Sequence, residues 1–169
     1  MAKAMTRHDA QLLPISFTLN GRLQELDVEP QELLLDVVRE RLGLTGAKRS
    51  CDVQVCGACT LLVDGRPVSA CTTLAFEVRG CSVLTIEGMA DKEGKLHPLQ
   101  QAFIEHGGFQ CGFCTPGMLL AAKALLDENP APSEAELKHF MHGNICRCTG
   151  YKKIIESIMA AAKKMRENA

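Results

Sequence analysis

The chain has 169 residues, a hydrophobic share of 46%, an aromatic share of 4% and a formal net charge of −1. Its length suits one domain or two small ones, and its near-neutral charge gives no basis for nucleic acid or an anionic membrane as a partner. No apolar run approaches the ~20 residues that are needed to cross a bilayer, so we expect no membrane span.

The N-terminal residues predict a polar lead-in followed by a hairpin. Residues 1–14 are mostly polar and carry neither an apolar export signal nor a twin arginine, so we expect a cytoplasmic protein. Residues 15–19 and 22–28 alternate apolar and polar side chains on either side of Asn20-Gly21. Alternating segments that are joined by Asn-Gly are typical of a β-hairpin with a two-residue turn.

The next segments predict the remainder of a small sheet with one helix packed across it. An apolar stripe over residues 33–42 indicates a helix that ends at Gly43. Three further strands are expected over residues 60–63, 67–71 and 83–86. Hairpin, helix and strands in this order predict an α+β protein whose first domain, residues 1–88, is a β-grasp, ferredoxin-like sheet.

Residues 89–96 form the expected linker, because they are polar and bounded by glycines. Beyond them the apolar spacing becomes that of helices, which we expect over residues 98–106, 115–128, 133–142 and 150–166. Thr115 followed by Pro116 indicates a helix start, as does the capping-box pattern that begins at Ser133. Four helices of this length predict a compact four-helix bundle over residues 97–169.

Nine cysteines are the strongest chemical signal in the sequence, and eight of them fall into two groups of four. The first group, Cys51, Cys56, Cys59 and Cys71, has the spacing C-x4-C-x2-C-x11-C. This is the plant-type ferredoxin spacing for a 2Fe-2S cluster, with three ligands on one tight loop and the fourth further along. Cytoplasmic thiols stay reduced, so this many cysteines favour metal ligation over disulfides.

The second group, Cys111, Cys114, Cys146 and Cys148, has the spacing C-x2-C-x31-C-x-C. Both of its pairs directly precede predicted helix starts, with Thr149 as the expected cap of the last helix. Helix N-termini present free amides and positive dipole ends, which favour an anionic cluster. The sequence therefore predicts a second metal centre in the helical half.

Two structural zinc sites would also use eight cysteines and are the main alternative. The first spacing fits a plant-type cluster better than paired zinc knuckles, and C-x-C is unusual for zinc. A Rieske centre requires histidine ligands, whereas the five histidines stand at no ligand position and are expected at the surface or at caps. Cys81 lies outside both groups and is expected to be a partly buried small hydrophobe.

Three motifs, residues 56–59, 110–117 and 143–151, resemble those of the iron–sulfur subunit of the xanthine oxidase family of molybdenum hydroxylases. The resemblance covers about residues 15–162 and implies one 2Fe-2S cluster in each domain. It also implies an electron-transfer subunit of an oxidoreductase complex, with no substrate site of its own. The substrate of such a complex stays open, because the pocket lies on another chain.

The resemblance also implies partners. These are a large subunit that binds molybdopterin and a medium subunit that binds FAD, with electrons passing from the pterin through the helical-domain cluster and the plant-type cluster to the flavin. By the same resemblance Gln110 and Cys148 approach the pterin. A free-standing two-cluster ferredoxin is the alternative, although the near-neutral charge and the helical second half do not favour a separate carrier.

One departure from the family pattern concerns the loop of the first cysteine group. Ser50 and Gln54 stand where the family often has glycine. Left-handed backbone angles are uncommon for residues other than glycine. We therefore expect Gln54 either to adopt an unusual backbone angle or to lie in a slightly different loop.

Overall fold

Five strands and five α-helices lie within residues 12–167, the part of the chain that the computed structural model describes. The strands are β1 (Leu13–Leu19), β2 (Arg22–Val28), β3 (Thr60–Val63), β4 (Arg66–Ser69) and β5 (Ser82–Leu84). They form one sheet in the order β2-β1-β5-β3-β4, in which β1 and β5 are parallel and the other neighbours antiparallel. Residues 1–11 of the predicted lead-in and residues 168–169 of the predicted helical domain lie outside the described residues.

The predicted hairpin is confirmed. β1 and β2 pair antiparallel along their full lengths, and Asn20 and Gly21 form the turn with φ angles of 50° and 78°. A two-residue hairpin turn demands positive φ, which Asn-Gly adopts at low steric cost. Because side chains alternate across a strand, Ile15, Phe17 and Leu19 all face the core.

The predicted helix over residues 33–42 is present but changes character midway. α1 (Leu34–Asp36) continues as a π-helical turn over Val37–Arg41, in which the Leu42 amide donates to the Val37 carbonyl across 3.0 Å. A π turn rotates the chain less per residue than an α turn. Leu34, Leu35, Val37 and Val38 are fully buried along this segment.

The last strand is shorter than predicted. β5 ends at Leu84, and a 3-10 turn over Ile86–Gly88 follows. The side chain of Asn20 takes the place of a further strand partner. Its Nδ2 donates to Thr85 Oγ1 across 2.9 Å, and its Oδ1 accepts from the Thr85 amide across 2.9 Å. The hairpin turn is thereby tied to the end of the sheet.

The second half contains the four predicted helices, α2 (Pro98–His106), α3 (Thr115–Glu128), α4 (Glu134–Phe140) and α5 (Lys152–Glu167). Ser133 caps α4 in a capping box, as its sequence predicts. His97 caps α2 through Nδ1, which accepts from the Leu99 amide across 3.2 Å. None of the helices in residues 12–167 is long and apolar enough to cross a membrane.

Two of the predicted helix starts are shifted. Cys114, rather than Thr115, occupies the cap position of α3, so the proline falls one position deeper in the first turn. α5 begins at Lys152, because Gly150 and Tyr151 both have positive φ angles, 62° and 67°, that a right-handed helix cannot contain.

α3 packs on the sheet as well as on the other helices. Leu120 and Ala124 belong to the same buried core as the inward face of the sheet and α1. The remaining buried side chains of α3 join a second core with α2, α4 and α5. The prediction that one helix covers the sheet is therefore wrong, because α1 and α3 both do so. α3 connects the two cores.

The segment that the sequence predicts as a linker, residues 89–96, contains a hydrogen-bonded turn. Met89 is buried in the helical core. Asp91 Oδ1 accepts from the amides of Glu93 and Lys95 across 2.9 and 2.8 Å. The first residue of the segment is thus held by the helices, and the polar remainder is held by the Asp91 carboxylate.

Candidate metal centres

The first cysteine group comes together between the end of the π turn and the strand pair β3–β4. The thiols of Cys51 and Cys56 contact each other, as do those of Cys59 and Cys71. Cys56 also lies close enough to Cys59 to act on its charge. The four thiols are therefore neighbours that are grouped as two pairs.

The backbone of this loop turns its amides toward Cys51. Asp52 and Gln54 have φ angles of 55° and 60°, and alternating left-handed residues point successive amides to one side. Hydrogen bonds from the amides of Val53, Val55 and Cys56 lower the pKa of Cys51 to about 6. The loop thus favours a thiolate, which is the form that binds metal.

Gln54 adopts the unusual backbone angle that the sequence left as one of two possibilities. Its side chain is also engaged, since Gln54 Oε1 accepts from Thr72 Oγ1 across 3.3 Å. Thr72 directly follows Cys71, so this contact ties the loop to the fourth cysteine. On the other side, Arg49 forms ion pairs with Asp36 of α1 and Asp52 of the loop.

The two thiol pairs of the first group differ in burial. Cys59 and Cys71 are buried, whereas Cys51 and Cys56 are partly exposed. Burial raises the pKa of Cys59 to about 12. A bound cation would offset the cost of ionising such a buried thiol, since metal binding deprotonates a ligating thiol outright.

The second cysteine group is also arranged as two pairs. Cys111 Sγ and Cys148 Sγ are 3.5 Å apart and exposed. Cys114 and Cys146 contact each other deeper in the fold, and burial raises the pKa of Cys114 to about 12. The prediction that both pairs lie at helix starts holds for Cys114, whose carbonyl accepts the Met118 amide of α3 across 3.0 Å.

Cys146 is held by two residues whose part at this site the sequence did not reveal. Thr149 donates its hydroxyl to Cys146 Sγ across 3.1 Å and its amide across 3.5 Å. Burial opposes ionisation of Cys146, but these bonds and the Cys148 amide outweigh it and lower its pKa. Tyr151 accepts the Cys146 amide through its hydroxyl across 2.9 Å. The prediction that Thr149 caps the last helix is wrong, because α5 begins at Lys152; the Thr149 hydroxyl instead accepts the Tyr151 amide across 3.2 Å in the turn before the helix.

The pairwise grouping fits a 2Fe-2S cluster, in which each of two irons takes two thiolates. In residues 12–167, no three His, Cys, Asp or Glu side chains are grouped around a single ion position. Among the same residues, Thr115 Oγ1 is buried without a hydrogen-bond partner, directly after Cys114. A cluster carries sulfur acceptors that such a hydroxyl could meet, so the residues present fit the group.

A backbone hydrogen bond connects the loops that carry the two thiol groups. The Ile145 amide donates to the Cys56 carbonyl across 2.9 Å, and Ile145 directly precedes Cys146. Gln110, next to Cys111, is exposed on the side of the second group.

The ninth cysteine and the histidines have other surroundings. Cys81 is half-buried against the sheet core, and burial raises the pKa of its thiol. His97 is the cap of α2, and its pKa is lowered by burial. The rings of His139 and His142 pack edge to face with centroids 5.7 Å apart. Cys81 is thus the partly buried small hydrophobe that the sequence predicts, and His97 has the expected capping role, while His8 lies outside the described residues.

Two family models match the chain in succession. One, described as a 2Fe-2S iron-sulfur cluster binding domain, matches residues 17–82. The other, described as a 2Fe-2S binding domain, matches residues 85–159. Each matched range contains one complete group of four cysteines.

The relatives are of two lengths. The chain is 46% identical over 152 residues to the nicotinate dehydrogenase small FeS subunit of Eubacterium barkeri, and the match covers 90% of this chain and 96% of that protein. It is 48% identical over 148 residues to the aldehyde oxidoreductase of Megalodesulfovibrio gigas, where it covers 86% of this chain but 16% of the relative.

A solved structure has the same fold. A chain of quinoline 2-oxidoreductase from Pseudomonas putida 86 has a TM-score of 0.87 and 50% identity, with 93% of this chain and 98% of that chain covered. Separate subunits and one part of a longer oxidoreductase thus share this pair of domains. On that near-complete similarity, the chain belongs to the iron–sulfur small subunits of the xanthine oxidase family of molybdenum hydroxylases.

Proposed function

We propose that this chain relays single electrons through two 2Fe-2S clusters within a heteromeric molybdenum hydroxylase. Each cluster, when bound, accepts one electron and passes it on. The observation that carries the proposal is the grouping of eight thiols as two adjoining sets of pairs, connected by the 2.9 Å hydrogen bond from Ile145 to Cys56. Family membership supports it, since relatives include small subunits of nicotinate dehydrogenase and nicotine 6-hydroxylase.

The proposed ligands follow the pairing of the thiols. For the plant-type cluster they are Cys51 with Cys56 and Cys59 with Cys71. For the helical-domain cluster they are Cys111 with Cys148 and Cys114 with Cys146. In each set the deeper pair excludes water from one side, and the outer pair lies toward the surface, where electrons can enter or leave.

The helical-domain set is proposed to face a large, molybdopterin-binding subunit. Three apolar side chains within three residues of its outer cysteines are 42–46% exposed, namely Phe109, Phe113 and Ile145. Exposed apolar side chains around a polar centre are typical of a protein contact surface. Within this rim we assign pterin contacts to Gln110, whose amide can both donate and accept, and to Cys148.

The plant-type set is proposed to face an FAD-binding medium subunit. Val53 and Val55 lie between its first two cysteines and are 64% and 58% exposed. They form a second apolar rim beside the partly exposed Cys51 and Cys56. The two rims give the relay separate surfaces for the donor and the acceptor subunit.

We also propose the division into domains that the sequence predicts. Residues 1–88 would form the ferredoxin-like domain, residues 89–96 the linker, and residues 97–169 the four-helix-bundle cluster domain. The successive ranges of the two family models support this division. We also propose a cytoplasmic location, because nine cysteines whose spacing suits metal ligation are typical of a compartment in which thiols stay reduced.

Iron and acid-labile sulfide analysis, with low-temperature EPR of the reduced protein from its native source, tests the proposal. We expect about four irons per chain, two distinct 2Fe-2S signals and co-purification of two further subunits. Zinc in place of iron would overturn it. Recovery of the chain alone with both signals would favour a free ferredoxin-type carrier.

A matched pair of cysteine variants tests the ligand assignment. Cys148→Ser should damage the helical-domain signal and spare the plant-type one, because Cys148 is paired with Cys111 alone at 3.5 Å. Cys81→Ser is the control and should leave both signals intact. Equal loss of both signals in folded Cys148→Ser would contradict the assignment.

A further inference from the structure

A buried asparagine joins the loops that carry the two thiol groups. Asn144 is 7% exposed. Its Nδ2 donates to the Gly57 carbonyl across 3.0 Å and to Thr60 Oγ1 across 3.3 Å. Gly57 directly follows Cys56, and Asn144 stands two residues before Cys146. The amide is therefore a tertiary connection between residues next to one ligand of each set.

The same contact requires two glycines. A Cβ at Gly57 would collide with the Gly143 carbonyl and the Asn144 side chain, and a Cβ at Gly117 of α3 would collide with the Gly57 carbonyl. Gly57 also has a φ angle of 67°, which favours glycine. We call Gly57, Thr60, Gly117 and Asn144 the junction. Its backbones approach as closely as glycine allows.

The chemistry of the junction requires a donor at position 144. The Gly57 carbonyl accepts, and Thr60 donates its own hydroxyl to that carbonyl across 2.7 Å, leaving its oxygen lone pairs free. Two acceptors thus face the Asn144 amide nitrogen, which supplies two protons. A carboxylate in its place would present oxygen to both acceptors and lose both of these hydrogen bonds in a buried site.

We propose that Asn144 is a positioning residue that sets the separation of the two clusters, and with it the rate of electron transfer between them. The inference rests on the proposed function. Asn144 contacts no thiol ligand. It acts through Gly57 and Ile145, which hold Cys56 and Cys146 in place, and the glycines allow the loops to come close enough for the Ile145–Cys56 bond to form.

The test uses the intact complex with both clusters loaded. Asn144→Asp keeps the volume and removes the donor, and Asn144→Ala removes the side chain. Asn129→Ala is the matched control, because that amide only accepts from the Ala131 amide across 3.1 Å, outside the junction. The readouts are iron content, the EPR signal of each reduced cluster, and the magnetic splitting between the two, which falls with the cube of their separation.

We expect both Asn144 variants to show a smaller splitting and slower electron transfer between the two clusters, while the individual signals remain and the control matches the wild type. Unchanged splitting in either iron-loaded Asn144 variant overturns the proposal. If those variants lose iron, Gly117→Ala decides, since its Cβ would collide with the Gly57 carbonyl and separate the loops while position 144 stays asparagine: reduced splitting supports the proposal and unchanged splitting overturns it. A wild type without two 2Fe-2S signals would instead show that the proposed function is wrong, and the inference would fall with it.

Discussion

Thr149 donates its hydroxyl to a ligand sulfur, Cys146 Sγ, across 3.1 Å. Hydrogen bonds to ligand sulfurs stabilise the more negative, reduced cluster and so raise its potential. We expect Thr149→Val to lower the potential of the helical-domain cluster by tens of millivolts, on the order of one charge-assisted hydrogen bond. Thr149→Ser keeps the hydroxyl and should restore it. An EPR-monitored redox titration measures both, with the plant-type signal as internal reference.

A shift of the plant-type signal by the same amount would show that Thr149→Val acts through the fold rather than through Cys146. An unchanged potential of the helical-domain cluster in Thr149→Val would show that the hydroxyl bond does not affect that potential.

Gln54 has a backbone angle that its residue type seldom adopts. At a φ of 60°, a residue with a Cβ is strained, and a β-branched one more so. We expect Gln54→Gly to change the stability of the loop by less than about 1 kcal/mol, because relief of strain is offset by chain entropy and the lost Thr72 contact. Gln54→Val should destabilise it by about 1–2 kcal/mol. The midpoint of thermal bleaching of the plant-type cluster measures both changes. Equal midpoints for Gln54→Val and the wild type would contradict backbone strain at this position.

Single residues show which features can be predicted from the neighbouring sequence and which cannot. The choice at Gln54 could be reduced to two possibilities because backbone strain is a property of the residue itself. The bond of Thr149 to sulfur could not be found, since a threonine before a helix equally predicts a cap. The same holds for Asn144, whose partners lie 84 and 87 residues away in the chain.

Helix α4 shows how a cap contributes at the scale of an element. Ser133 Oγ accepts from the Glu136 amide across 3.2 Å, and the Glu136 carboxylate accepts from Ser133. We expect Ser133→Ala to lower the free energy of unfolding by about 1 kcal/mol, as for other lost caps. Urea denaturation with helical content as the signal measures it. An unchanged midpoint would show that α4 is held by packing alone.

The capping box also predicts a pH dependence. Hydrogen bonds from the Ser133 hydroxyl and amide lower the pKa of Glu136. A lowered carboxyl pKa gives stability that is present above the ordinary carboxyl pKa and is lost as pH falls through the lowered value. The difference between wild type and Ser133→Ala should therefore shrink under acid. Glu136→Gln keeps an acceptor but does not titrate, so its stability should lack this pH dependence.

Elements with local causes could be predicted, and those with distant causes could not. The hairpin depends on Asn20-Gly21, and α4 on its own capping box, so both appear where the pattern predicts them. The early end of β5 depends on the Asn20 side chain reaching Thr85 from 65 residues away in the chain, a cause that is not visible in the strand itself. The apolar spacing of residues 34–38 predicts an ordinary α-helix and does not reveal the π turn that follows.

At the scale of the molecule, α3 makes the two halves depend on each other. Leu120 is buried in the sheet core, although it lies in the helical half. We expect Leu120→Ala to cost about 2–5 kcal/mol, as for other buried leucines. Because the helix serves both cores, the two clusters should bleach together at a lower denaturant concentration. Leu23→Ala, at a site 66% exposed, is the control and should stay within about 0.5 kcal/mol of the wild type.

Loss of the plant-type cluster alone in Leu120→Ala would show that the halves unfold independently.

The cysteine spacing could predict both thiol groups, because ligand geometry restricts which spacings allow four thiols to bind one cluster. The shared helix and the junction could not be predicted, because each depends on how the halves face each other.

Tyr151 gives the chain an optical property of its own. The sequence has one tyrosine and no tryptophan, and the hydroxyl of that tyrosine accepts the Cys146 amide across 2.9 Å. All the tyrosine fluorescence of the isolated chain therefore comes from one ring beside the helical-domain set. Insertion of a light-absorbing cluster there should quench it, while filling the more distant plant-type set should do so less. Assembly of one centre could thus be followed by emission while EPR follows both.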